Sequence, residues 1–296
     1  MRFEVDIIKA LQMISNPFSD LVNKFFTLFG TELIFLAVAV VLYWCIDKAY
    51  AHRFFNVYIL GVAVTNFLKL GFKRTRPFDA YPHEVRSIGE RESTYSFPSG
   101  HTESVASISA LLTIKYGKRY RFVPIVCVLL TVLVMLSRMY LGQHYLSDVF
   151  CGLTLGIFCA IIFNALLSLL GDKEEWFAVA AVVLSAILIG VLAGLDMLGE
   201  ASGADILKGV GAFAAFDIGY FIEKRYVKYD IKADRGTWWK VALRIVVGLG
   251  VTVGIQQLFK LFLPESMPML YCFFRYFVMA AWASLGAPAL FKAVKI

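Results

Sequence analysis

Charge is sparse in this sequence. Of its 296 residues only 17% are Asp, Glu, Lys or Arg, while 59% are hydrophobic and the mean hydropathy is +0.70. A soluble globular domain carries about a quarter charged residues and about half apolar ones. Departure in both directions excludes an ordinary soluble domain and points to the bilayer as solvent. The five cysteines (Cys45, Cys127, Cys151, Cys159, Cys272) form no Cys-x-x-Cys pair, and each lies in or beside an apolar run. That excludes a disulfide framework and a cysteine metal cluster; buried thiols acting as small hydrophobes are expected. The first thirty residues include Glu4, Asp6, Lys9, Asn16, Pro17, Asp20 and Lys24 and lack a continuous apolar stretch, so no cleavable leader is expected. No internal repeat supports an inverted-repeat transporter.

What is present is a series of apolar runs. Residues 1–29 read as an interfacial amphipathic helix interrupted at Asn16-Pro17. Runs follow at about 30–46 (with Thr31 as N-cap), 54–71, 101–116, 122–141, 146–170, 176–195, 205–222, 241–263 and 268–291. Each is near the ~20 residues that cross a bilayer. The expected fold class is all-α and polytopic. The net charge of +7 gathers in alternate loops: 47–53 with Lys48 and Arg53, 115–121, 223–240, and the tail. The loops 196–204 and 264–267 have no Lys or Arg. This is the positive-inside bias rather than a nucleic-acid surface. The alternation puts the polar loop 73–98 and the ends of its flanking runs outside, and that loop's own cations then serve an anion rather than topology.

Polar residues at the run ends define a candidate site. Lys69, Arg76 and Arg138 are three cations near segment ends, and such charges near a bilayer need a partner. An anion with several oxygens, such as phosphate, fits them, because Arg offers a planar fork and Lys a point charge. Pro98-Ser99-Gly100-His101 opens a helix-like run, whose N-terminal N–H groups extend the cradle while Gly100 permits close approach. His144 and Asp148 are four apart, so a helix start sets them on one face. A carboxylate holding one imidazole nitrogen leaves the other free to attack, and His101 is placed to protonate the leaving oxygen. Together these suggest phosphoryl transfer through a phosphohistidine.

Lys69-x6-Arg76-Pro77, Pro98-Ser99-Gly100-His101 and Ser137-Arg138-x5-His144-x3-Asp148 resemble the three-part signature of the type 2 phosphatidic acid phosphatase superfamily, which includes vanadium haloperoxidases and bacterial acid phosphatases. The resemblance covers about residues 30–170 and implies a six-helix core there. Residues 171–296 are expected to add about four transmembrane helices. It also implies a metal-independent reaction without cofactor. His144 would be nucleophile, Asp148 its partner and His101 the general acid, with Lys69, Arg76, Ser99, Gly100 and Arg138 binding phosphate. Gly30-Thr31-Glu32, Trp44 and Asp47 and the later spans are similar to sphingosine-1-phosphate phosphatases.

The resulting expectation is a multi-pass membrane phosphatase acting on a phosphatidate, sphingoid base phosphate, phosphatidylglycerophosphate or polyprenyl diphosphate. Its active site would face the outer or lumenal side, at the plasma membrane if the chain is bacterial. A lipid phosphotransferase and a lipid flippase are the alternatives. His52 and His83 read as loop residues without a catalytic task, and Glu223, Arg244 and Arg275 as parts of an ion pair between C-terminal helices.

Overall fold

A computed structural model describes residues 2–170, 173–194, 201–231, 238–262 and 268–296. The lysine-free connections 196–204 and 264–267, and Lys232 and Arg235, lie wholly or partly outside those residues. Among the described residues every regular element is helical: α1 (Arg2–Gln12), α2 (Pro17–Thr27), α3 (Glu32–Val41), α4 (Lys48–Phe72), α5 (Pro77–Ala80), α6 (Gly100–Tyr116), α7 (Phe122–Tyr140), α8 (Leu146–Leu170), α9 (Glu174–Gly194), α10 (Ala201–Ile222), α11 (Trp238–Phe262), α12 (Pro268–Ala281) and α13 (Ala287–Val294).

Among the described residues, five helical stretches are long and apolar enough to cross a membrane, and a sixth is formed if Pro17–Gly30 and Glu32–Ile46, bent by 51°, make one broken span. The chain is therefore an all-α, multi-pass membrane protein. Fewer spans qualify than there are apolar runs. The 17-residue α6 carries His101 and Glu103 in its first turn, and α10 carries Lys208 and Asp217.

Two local expectations change. The loop at 47–53 shrinks to Asp47, because that residue caps α4: its carboxylate accepts the Tyr50 N–H at 3.0 Å and its carbonyl the Ala51 N–H at 2.9 Å. The Thr31 hydroxyl caps nothing ahead of it. It turns back and donates to the Leu28 carbonyl at 2.6 Å, while its own carbonyl accepts from Phe35.

The chain divides into two compact units, residues 1–37 with 57–166, and residues 38–56 with 167–296. In the first, α1 buries Val5, Ile8 and Gln12, the i, i+3, i+7 stripe of an amphipathic helix. Val5 and Ile8 enter one cluster with Phe78, Val85, Met135, Met139, Tyr145 and Val149. The Gln12 amide donates to the Arg86 and Tyr140 carbonyls at 2.8 and 2.9 Å, and the Tyr140 hydroxyl donates to Asp20 at 2.5 Å. The N-terminal helices are thus fastened to the unit by buried apolar and polar contacts. α6 and α8 meet through glycines. A Cβ at Gly152 would stand 2.5 Å from the Ser99 carbonyl oxygen, and one at Gly156 2.5 Å from that of Glu103. Small residues one turn apart let two membrane helices approach backbone to backbone.

In the second unit Trp44 is fully buried, its indole N–H donating to the Ala283 carbonyl at 2.8 Å. Glu223 takes its cation from Lys48, at 2.6 Å, and accepts the Tyr229 N–H at 2.9 Å, while the Arg244 guanidinium lies over the Tyr229 ring. His52 is a helix residue and not a loop one. It meets Asp217 at 2.5 Å and stacks on Tyr220 with centroids 4.0 Å apart.

Candidate active site

His144 is set between two helix-capping motifs. α7 closes with the Gly142 N–H donating to Met139 and the Gln143 N–H to Arg138, at 2.9 and 3.1 Å, the bonds of a Schellman motif. Gly142 sits at the C′ position with φ +74°, where a glycine carries no steric penalty. One residue after His144, Tyr145 opens α8, and its N–H donates to the Asp148 carboxylate at 2.8 Å, half of a capping box. The stop of one helix and the start of the next fix the five-residue and three-residue gaps in Arg138-x5-His144-x3-Asp148.

His144 and Asp148 are both fully buried. The imidazole Nδ1 donates to the Ser96 carbonyl at 2.8 Å, whereas the Asp148 carboxylate is 3.6 Å away, beyond hydrogen-bond reach. Asp148 is held instead by the Ser96 hydroxyl, the Tyr145 N–H and Arg74, whose Nη1 donates at 2.6 Å. Arg74 is further fixed by Glu4 at 3.0 Å and lies over the Tyr145 ring. Because Nδ1 carries the proton, Nε2 presents its lone pair, and Arg76 Nη1 stands 3.2 Å from it. Burial, and then the Arg76 guanidinium, push the His144 imidazole down to about 4, so it is neutral at ordinary pH.

Arg76 stands at Nε2, and the other two cations meet it through shared partners, Lys69 at Thr94 and Arg138 at Glu92. Arg76 is buried, with Nε on the Thr94 carbonyl at 2.7 Å and Nη1 on the Gln143 carbonyl at 3.1 Å. Lys69 donates to the Thr94 hydroxyl at 3.0 Å. Arg138, also buried, donates to Thr27 at 2.9 Å. Glu92 bridges them. One oxygen accepts from Arg76 Nη2 at 2.7 Å; the other accepts from Arg138 and lies 3.5 Å from His101 Nδ1. Ser99 caps α6, its hydroxyl accepting the Thr102 N–H at 3.4 Å, and a Cβ on Gly100 would lie 3.8 Å from Lys69 Nζ.

The fold therefore gathers Lys69, Arg76, Ser99, Gly100, His101, Arg138, His144 and Asp148 within one unit. Residue reasoning did not find Thr27, Glu92, Thr94 or the Ser96 carbonyl. Arg74, one of the cations of the loop 73–98, is a partner of Asp148. Glu92 is one of four acidic residues in the loop 73–98, with Asp79, Glu84 and Glu90, so the sequence did not single it out, and a backbone carbonyl leaves no sequence signal.

Residues 50–171 match the family model of the PAP2 superfamily, and residues 207–296 the model of the PAP2 superfamily phosphatase, transmembrane extension. Together these take in most of the chain, which belongs to the PAP2 superfamily. Among curated proteins it is 26% identical over 255 residues to sphingosine-1-phosphate phosphatase 1 of Rattus norvegicus, covering 80% of this chain and 58% of that protein. It is 30% identical over 115 residues to lipid A 1-phosphatase of Rhizobium johnstonii, covering 38% of this chain and 45% of that one. The chain spans 51% to 58% of the length of the sphingosine-1-phosphate phosphatases of rat and mouse that it matches. The crystal structure of a transmembrane PAP2 type phosphatidylglycerolphosphate phosphatase from Bacillus subtilis is similar at TM-score 0.48 and 25% identity, over 58% of this chain and 87% of that one.

Proposed function

We propose that the chain is a membrane phosphatase that removes a terminal phosphate from a lipid by way of a phosphohistidine. The observation that carries this reading is the unprotonated Nε2 of His144, oriented through Nδ1 and facing Arg76 in a cage completed by Arg138 and Lys69. Nε2 attacks phosphorus in line, and the bond to the lipid oxygen breaks. That oxygen takes a proton from His101. Water, deprotonated by His101, then attacks the phosphohistidine and releases inorganic phosphate, returning Nε2 to its starting state. The cations neutralise the charge on the equatorial oxygens, a task that needs no metal. Ser99 and the Gly100 N–H extend the cradle at the start of α6.

The chemistry lies within residues 30–170, and 171–296 form its membrane extension. The site faces the outer or lumenal side, as the loop charges imply, so the substrate reaches it laterally from that leaflet. Similarity to phosphatases named for sphingosine 1-phosphate and lipid A supports a lipid phosphate monoester as substrate class.

The experiment is phosphate release from sphingosine 1-phosphate, phosphatidate, phosphatidylglycerophosphate and a polyprenyl diphosphate in detergent, with and without chelator. His144→Ala and Arg138→Ala should abolish release, a loss of at least about 10³-fold, while thermal unfolding stays cooperative. Full turnover by His144→Ala, or strong inhibition by chelator, would overturn the mechanism.

A further inference from the structure

Glu92 has no place in the reaction just described, yet its carboxylate lies at the middle of the cage. It accepts from Arg76 Nη2 at 2.7 Å and from Arg138 Nη2, and it lies 3.5 Å from His101. These donors are the ones a phosphoryl group beside His144 Nε2 would need. A carboxylate and a phosphate cannot share them, because each offers oxygens to the same N–H groups and both are anionic. Burial would raise the Glu92 carboxyl, but Arg138, His101 and Arg76 outweigh it and hold the group well below the usual carboxylate range. Glu92 is therefore an anion at any working pH.

We propose that Glu92 selects ligands by charge. Its carboxylate competes for the two guanidinium groups, and a ligand enters only by displacing it, which a dianionic terminal phosphate does and a monoanionic phosphodiester does not. Exchanging one negative charge for another gains the cage nothing, whereas a dianion adds a charge among three cations. The local structure suits displacement. Residues 89–93 form neither helix nor strand, and the Glu92 side chain is 28% exposed. The chain is pinned on either side, where the Glu90 carbonyl accepts from Gln143 at 3.1 Å and the Thr94 carbonyl from Arg76 at 2.7 Å. The side chain swings while the loop stays. A tethered competitor lowers apparent affinity by the fraction of time it holds the site.

The proposal rests on the phosphate reading of the cage, and binding rather than turnover separates the two. The probes are inorganic phosphate and dimethyl phosphate, titrated calorimetrically into the full chain in detergent at pH 8, where inorganic phosphate is largely dianionic. Wild type should bind phosphate and not dimethyl phosphate. Glu92→Gln should bind phosphate about tenfold or more tightly and bind dimethyl phosphate measurably. At pH 5, where phosphate is a monoanion, wild type should lose affinity and Glu92→Gln should lose far less. Glu92→Asp keeps the charge on a side chain one methylene shorter and should fall between. Equal or weaker phosphate binding by Glu92→Gln, with binding still lost in Arg138→Ala, overturns charge selection alone. No phosphate binding by either wild type or Glu92→Gln overturns the phosphate cage and charge selection together.

Discussion

The His144 imidazole can attack only while Nε2 is unprotonated, and burial does more to keep it so than any neighbour. Its folded value of about 4 lies below the ordinary 6.5. The unfolded chain therefore binds more protons between those limits, and folding stability from this group falls as pH drops from 6.5 to 4. Integrated over that window, the loss is about 3 kcal/mol. In spectra of the isotope-labelled histidines, the resonance missing from His144→Ala should titrate near pH 4; a midpoint near 6.5 would refute the buried neutral imidazole. The histidine itself was legible from its motif, but its partner was not. A four-residue spacing suggests that Asp148 holds the ring, yet at 3.6 Å it does not, and the acceptor is the Ser96 carbonyl at 2.8 Å. Asp148 and Arg74 act one layer behind, fixing Ser96 and the start of α8.

At the scale of elements, the spacing of the signature is the spacing of helix ends. Gly142 must adopt φ +74° for α7 to stop, and a Cβ there would stand 2.3 Å from the Arg86 carbonyl oxygen. Gly142→Ala should cost about 1 kcal/mol or more from backbone strain alone. The clash with Arg86 adds to that cost, so the unfolding temperature should fall, and displacement of Gln143 and His144 should lower phosphate release at least about tenfold in the fraction that stays folded. Unchanged turnover with lowered stability would show that the turn serves folding only. The helix starts were partly legible. Thr31 stands just ahead of α3 and its carbonyl accepts from Phe35, but its hydroxyl bonds back to Leu28, because a hydroxyl near two helix ends can bond to either and the sequence does not say which. The seating of α1 was missed for another reason. Its apolar stripe is short and interleaved with charges, which suits an interface as well as a protein surface. The polar contacts of Gln12 and Glu4 to distant residues show which protein surface α1 covers, and an interfacial position is compatible with them.

At the scale of the molecule, hydropathy alone established the all-α, multi-pass class, because a chain with this little charge has no other stable solvent. The two compact units were not legible. Their boundaries at 37–38 and 56–57 fall inside α3 and α4, where composition does not change. The orientation proposed from loop charge predicts opposite exposure for two loops. In a cysteine-free background, cysteine at Arg91 should react with an impermeant thiol reagent added to intact cells. Cysteine at Lys118, between α6 and α7, should react only after the membrane is opened. The reverse pattern would place the site on the cytoplasmic side.

The acceptor that orients His144 is a carbonyl that every amino acid supplies at position 96. No codon change removes it. Loss-of-function alleles would gather at His144 and its arginines, while position 96 would look tolerant apart from the hydroxyl that holds Asp148. The tautomer of the nucleophile is inherited with the path of the main chain, not with any side chain. Relatives could change most of the loop's sequence and still keep that tautomer, provided the loop passes the same point in space.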